Sequence, residues 1–139
     1  MRAVLDTNVL VSALVAESGA PQRILAQWLE GRFVLVTSLL LVEELAFVLT
    51  YPRIAQRLRW TREEVAALLA GLLATAEVTA GQLELPGVSR DPKDDAVVAC
   101  AVEGGADVIV SADRDLLELG SYQGIRILTP RQFVELLDG

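Results

Sequence analysis

The sequence predicts an α/β protein, a three-layer α/β/α domain built on a mostly parallel, five-stranded sheet. Three observations predict it. Short apolar runs that read as buried strands alternate along the chain with segments of helical spacing. Acidic residues stand where several of these runs end, and open parallel sheets bind their ligands at the carboxyl ends of the strands. The chain has 139 residues, 53% of them hydrophobic, enough for one core and too few for two full domains. No repeat, low-complexity tract or Gly/Ser linker divides it.

The elements follow in order. Arg2 to Leu5 is the first strand, ending at Asp6, which is placed to cap a helix beginning near Asn8. Gly19-Ala-Pro21 reads as a loop, and Ile24, Leu25, Trp28 and Leu29 then repeat at helical spacing, with Trp28 assigned to the core. Phe33 to Val36 is the second strand, closed by Thr37 and Ser38, and Leu41, Leu45, Val48 and Leu49 mark the helix after it. Thr61-Arg-Glu-Glu64 has the reciprocal capping pattern that opens the helix carrying Val65, Leu68, Leu69 and Leu72. Val78, between Glu77 and Thr79, is the weakest strand candidate, and Gly81 to Pro92 reads as a loop. Asp91-Pro-Lys-Asp-Asp95 opens a helix over Ala96 to Val102. Val108-Ile-Val110 and Ile125-Arg-Ile-Leu128 complete the five strands, and Thr129-Pro130 starts a closing helix.

Composition narrows the function. The longest apolar run, Phe33 to Val42, is broken by Thr37 and Ser38 and stops at Glu43, well short of the ~20 residues that span a bilayer. Asp6 arrives before any signal-peptide core develops, so a cytoplasmic protein is expected. Cys100 is the single cysteine, which rules out an internal disulfide and reads as a buried, inert thiol. A net charge of −7 argues against a nucleic-acid partner unless the acidic side chains converge on a bound divalent cation.

The acids at the strand ends point to such a convergence. Asp6 follows the first strand, Glu44 lies in the helix after the second, Asp113 lies beyond Val108-Ile-Val110, and Asp94 or Asp95 projects from a helix start. Like charges within ~4 to 6 Å raise each other's pKa, so a cluster kept ionised at neutral pH implies Mg²⁺ or Mn²⁺, hard cations that prefer carboxylate oxygen. Each acid also has a plainer reading. Asp6 and Asp94 suit helix capping, and Asp95 in a first turn gains from the helix dipole. Adjacent Glu43 and Glu44 point ~100° apart on a helix, so only one faces the crevice, and periodicity does not choose between them. The chain has no histidine, which excludes a Ser-His-Asp triad or a histidine-based ribonuclease.

In Leu5-Asp-Thr-Asn-Val-Leu10, Ser38-Leu-Leu-Leu-Val-Glu-Glu-Leu45, Asp91-Pro-Lys-Asp-Asp-Ala96, Gly105 to Leu117 and Ile127-Leu-Thr-Pro-Arg-Gln-Phe133, the chain resembles the PIN-domain family, and within it the small bacterial toxins of VapC-type toxin–antitoxin pairs. The segments match in order and spacing over nearly the whole chain. The resemblance implies a catalytic set of Asp6, Glu44, Asp95 and Asp113, with Asp6, Asp95 and Asp113 on the metal and Asp115 accessory. Thr7, Asn8 and Ser38 match polar positions that orient the carboxylates or bind water. The implied activity is metal-dependent hydrolysis of RNA phosphodiesters, by a homodimer silenced by an antitoxin whose tail occupies the acid cleft.

Substrate contacts are sought in Pro52 to Arg62, where Arg53, Arg57, Arg59 and Arg62 surround Trp60: arginine binds phosphate bidentately and tryptophan stacks on an unpaired base. The plainer reading makes these arginines a solvated helix face, with Trp60 packed on a neighbour or at a dimer contact. Two other classes compete with the nuclease. A haloacid-dehalogenase-type phosphatase needs a second acid where Asn8 stands, and an amide gives no proton. A binding module holding RNA or a partner protein without turnover is opposed by the full set of acids.

Overall fold

In the computed structural model, which describes residues 1–139, the first apolar run forms β1 (Arg2–Leu5), and Asp6 caps α1 (Thr7–Val15) by accepting a hydrogen bond from Thr7 N. Then come α2 (Ala20–Leu29), β2 (Val34–Ser38), α3 (Leu39–Val48), α4 (Pro52–Ala55), α5 (Arg62–Thr75) and β3 (Glu77–Thr79). The chain closes through α6 (Pro92–Glu103), β4 (Val108–Val110), α7 (Arg114–Leu119), β5 (Ser121–Tyr122), β6 (Ile125–Leu128) and α8 (Pro130–Asp138). The capping boxes expected at Thr61 and Thr129 both form.

The sheet has six strands in the order β3-β2-β1-β4-β6-β5, all parallel except the β5–β6 pair. The expected count of five strands was therefore one short. β5 was missed because its hairpin turns on Gln123-Gly124, both at positive φ (49° and 82°), instead of the Asn-Gly pair that marks such a turn in sequence. Gly19-Ala-Pro21 also differs from expectation: α2 already starts at Ala20, with a proline in its first turn where no N–H is needed. The short helices α4 and α7 lacked enough length to show a period.

Both faces of the sheet are covered. Alternate residues separate the layers: Ala3, Leu5, Val108 and Val110 pack with α1, α2, α5 and α8, whereas Val4, Ile109 and Ile127 pack with α6 and α7. Trp28 sits half-buried against the first of these cores, and Phe33 meets Phe133 edge to face at 5.1 Å. Cys100 is buried as expected, and burial pushes its thiol up to about 11, which keeps it unreactive. No helix is long and apolar enough to cross a membrane.

The end of α6 is tied to the sheet by Gly104, where a Cβ would collide with Val36 Cγ1 and crowd Thr79 Cγ2. Its backbone is ordinary (φ −86°), so close approach and not conformation requires the glycine. Gly104→Ala is expected to destabilise by about 1–3 kcal/mol through overpacking, read as a lower urea midpoint at unchanged m-value.

Candidate metal centre

The strand order turns outward in both directions from β1 and β4, and a crevice opens at the carboxyl ends of these central strands, where this topology leaves one. It encloses about 410 Å³ and is lined by Asp6, Thr7, Asn8, Glu44, Asp94 and Asp113, with Arg57 and Lys93 at its edge.

Asp6 is fixed from two sides: Thr7 N donates to Oδ1 at 2.8 Å and the Ser111 hydroxyl donates to Oδ2 at 2.6 Å. Burial pushes its pKa up, the Ser111 and Thr7 hydrogen bonds oppose this, and the Asp113 and Glu44 carboxylates push it further up. Asp113 caps α7, its Oδ1 accepting from Asp115 N at 2.8 Å and Leu116 N at 3.3 Å. Glu44 Oε2 accepts from the Thr7 hydroxyl at 3.4 Å, and Lys93 Nζ lies 3.9 Å from Oε1. Its neighbour Glu43 faces a different cavity, so of the two glutamates that periodicity left open Glu44 is the one that lines the crevice.

α6 begins at Pro92 with Asp91 as its cap, four residues ahead of the expected Ala96 start. This shift changes which acid reaches the crevice. Asp94, an accessory candidate whose plainer reading was capping, lies in the first turn, is only 4% exposed and points into the cluster. Burial first, then the charges of Asp113 and Asp6, push its carboxyl up to about 7. Asp95, expected on the metal, turns away by the helical ~100°. Its oxygens accept from Gly87 N at 3.0 Å and Ser89 N at 2.6 Å, pinning the loop before α6. One oxygen from each of Asp94, Asp113 and Asp115 falls within 4.8 Å of the others. The nearby cations are exposed and lie against other acids than Asp94 or at the crevice wall: Lys93 leans on Glu44, Arg90 lies 3.8 Å from Asp115, and Arg57 lines the crevice.

The donor set fits a hard divalent cation. Asp94 is buried beside like charges with no ammonium or guanidinium opposite it, a strained arrangement that a doubly charged ion relieves. Of the other expected residues, Ser38 caps α3 by accepting from Leu41 N, and Asn8 is exposed at the crevice edge, its Oδ1 3.5 Å from Ala112 N. Arg57 reaches the crevice, Arg53 is exposed outside its lining, and Arg59 is drawn to Glu17 at 2.7 Å. Trp60 does not face the acids; it is half-buried against the core between α3 and α5, the plainer of its two readings. Sequence reasoning passed over Ser111, fully buried and bonded to Asp6, and Lys93. A hydroxyl directly after an all-apolar strand was the available signal for Ser111.

A family model described as a PIN domain matches residues 2–115. An uncharacterized protein of Methanocaldococcus jannaschii is 27% identical over 143 residues, a match spanning 97% of this chain and 90% of that protein.

Proposed function

From the premise that the chain belongs to the PIN-domain family, a family of nucleases, we propose that it is a divalent-metal-dependent ribonuclease. The observation that carries the reading is Asp94, a buried carboxylate facing Asp113 and Asp6 with no basic partner of its own.

In this reading Asp94 and Asp113 hold Mg²⁺ or Mn²⁺, with Asp6 beside them and Asp115 as an accessory ligand. When bound, the ion supplies a Lewis acid that polarises water and the phosphodiester and offsets the charge that develops on the leaving oxygen. Ser111 and the α1 N-terminus keep Asp6 in one orientation, ready before substrate arrives. Thr7 and Lys93 hold Glu44 at the crevice wall, where it accepts a proton from water near the scissile phosphate. Arg57 and Lys93, at the edge of the acidic crevice, offset the phosphates on either side of the cut.

The same reading makes the protein the toxin of a toxin–antitoxin pair, acting in the cytoplasm as a homodimer and silenced by an antitoxin that fills the crevice. Its support is the order and spacing of the motifs together with the small single domain.

Purified protein incubated with a mixed RNA substrate is expected to cut it in Mn²⁺ or Mg²⁺, to stop on chelation and to resume when metal is restored. RNA retention without cutting in any divalent ion would instead assign the chain to a catalytically weak binding module.

A further inference from the structure

A second cavity of about 330 Å³, lined by neighbouring residues of the same α3 and α6 helices, is not used by the chemistry above. These two helices contribute to both. On α3, Glu44 turns to the crevice and Glu43 to the cavity; on α6, Asp94 serves the crevice, whereas Ala96, Ala99, Cys100 and Glu103 line the cavity. These four α6 residues recur at three- and four-residue spacing and thus form one face, and the alanines leave the volume open.

The chemistry of the walls selects the occupant. Leu39, Leu40 and Leu83 give apolar surface, and Glu43 and Glu103 are the charged groups, with no lysine or arginine among the lining residues. Such a cavity repels phosphate and accepts a flat, uncharged group that donates hydrogen bonds. Glu103 is held in place by Gly81 N at 2.8 Å and Gln82 N at 3.0 Å, one on each oxygen, so its remaining lone pairs stay oriented. At the floor, Thr79 Oγ1 is sealed from solvent beside the Cys100 thiol and the Glu103 carboxylate without a well-formed hydrogen bond to either. Buried hydroxyls are normally satisfied, and this one lacks a well-aligned partner within the fold.

We infer that this cavity is a base-recognition subsite that takes an unpaired nucleobase bearing an exocyclic amino group, next to the phosphate cut in the crevice. The inference rests on the ribonuclease reading. The amino group donates to Glu43 or Glu103, the ring lies on the leucines, and Thr79, turned about its χ1 bond, meets a ring nitrogen or carbonyl. Uracil, which has no amino group and offers only its ring N3–H as a donor, satisfies the carboxylates less well and is disfavoured.

The test separates binding from cutting. Labelled oligouridine carrying one central cytidine, adenosine or guanosine is titrated with the full-length protein in Ca²⁺ and followed by fluorescence anisotropy; the same strands are then cut in Mn²⁺ and the sites mapped. An amino-bearing base should tighten binding by about fivefold over uridine, the scale of one or two net hydrogen bonds, and cleavage should fall beside it. Ala96→Leu, which fills the cavity, and Glu43→Gln, which removes an acceptor charge, should each erase most of that preference, with thermal denaturation confirming that both fold. Equal binding of all strands, or a preference that survives both substitutions, overturns the inference even where RNA is cut. A base preference that disappears in Ala96→Leu, without cleavage in any divalent ion, supports the subsite and removes the nuclease.

Discussion

Asp94→Asn is expected to lower kcat/KM for RNA cleavage by about a thousandfold, because it removes a metal-binding charge worth several kcal/mol in the transition state while keeping the side chain's size. Asp95→Asn is the contrasting variant. Its carboxylate secures the loop at Gly87 and Ser89 and takes no part in the crevice, so its effect should stay within about threefold, the scale of a perturbed loop hydrogen bond. Initial rates on one oligoribonucleotide at saturating Mn²⁺ compare the two. Equal losses in both variants, or a large loss only in Asp95→Asn, would return the metal site to the assignment drawn from sequence.

The second large effect is on stability. With chelator present, the protein should lose about 3–4 kcal/mol between pH 4 and pH 7 as the crowded carboxyls around Asp94 ionise, since the Asp94 carboxyl titrates near the usual carboxylate value when unfolded and near 7 when folded. The native state there binds the proton more tightly than the unfolded state, so this stability is complete at low pH and lost as pH rises through that window. Asp6, also raised, acts in the same direction. Divalent metal at pH 8 should restore about 2.7 kcal/mol at a hundredfold excess over its Kd. Urea unfolding at pH 5 and 8, with and without Mg²⁺, measures both, and Asp94→Asn should flatten the pH dependence. A wild-type protein as stable at pH 8 as at pH 5 under chelation would mean that Asp94 is not crowded by its neighbours.

Much of this architecture was legible in the sequence because it depends on local pattern. The runs at Arg2 to Leu5 and Val108 to Val110 are too apolar for anything but a doubly covered strand, and the acids after them are thereby carried to one edge. What escaped depends on where a helix begins. Asp94 and Asp95 are interchangeable until the phase of α6 is known, and that phase is set by Pro92 following the Asp91 cap, which moves the start forward by a full turn. Trp60 is a case where the sequence left two readings open. Flanking arginines suggested a stacking residue, but the apolar residues at the end of α3 and along α5, Leu49, Val65 and Leu69 among them, offered the ring a surface to pack on. The choice between Glu43 and Glu44 needed the position of α1 against α3, where the Thr7 hydroxyl meets Glu44, a contact no short window records.

The hairpin that ends the sheet has a consequence for assembly. β5 contributes a two-residue rung and runs against its neighbour, and at the far margin β3 is only three residues long, with Glu77 paired to Arg2. Neither margin offers another chain more than a few backbone partners, so recruitment by strand addition, whether into a dimer or a fibril, has almost nothing to template on. Side-chain surfaces, not strand edges, are what this fold offers another chain, and unfolding of its helices, not fraying of the sheet, should set when it begins to aggregate.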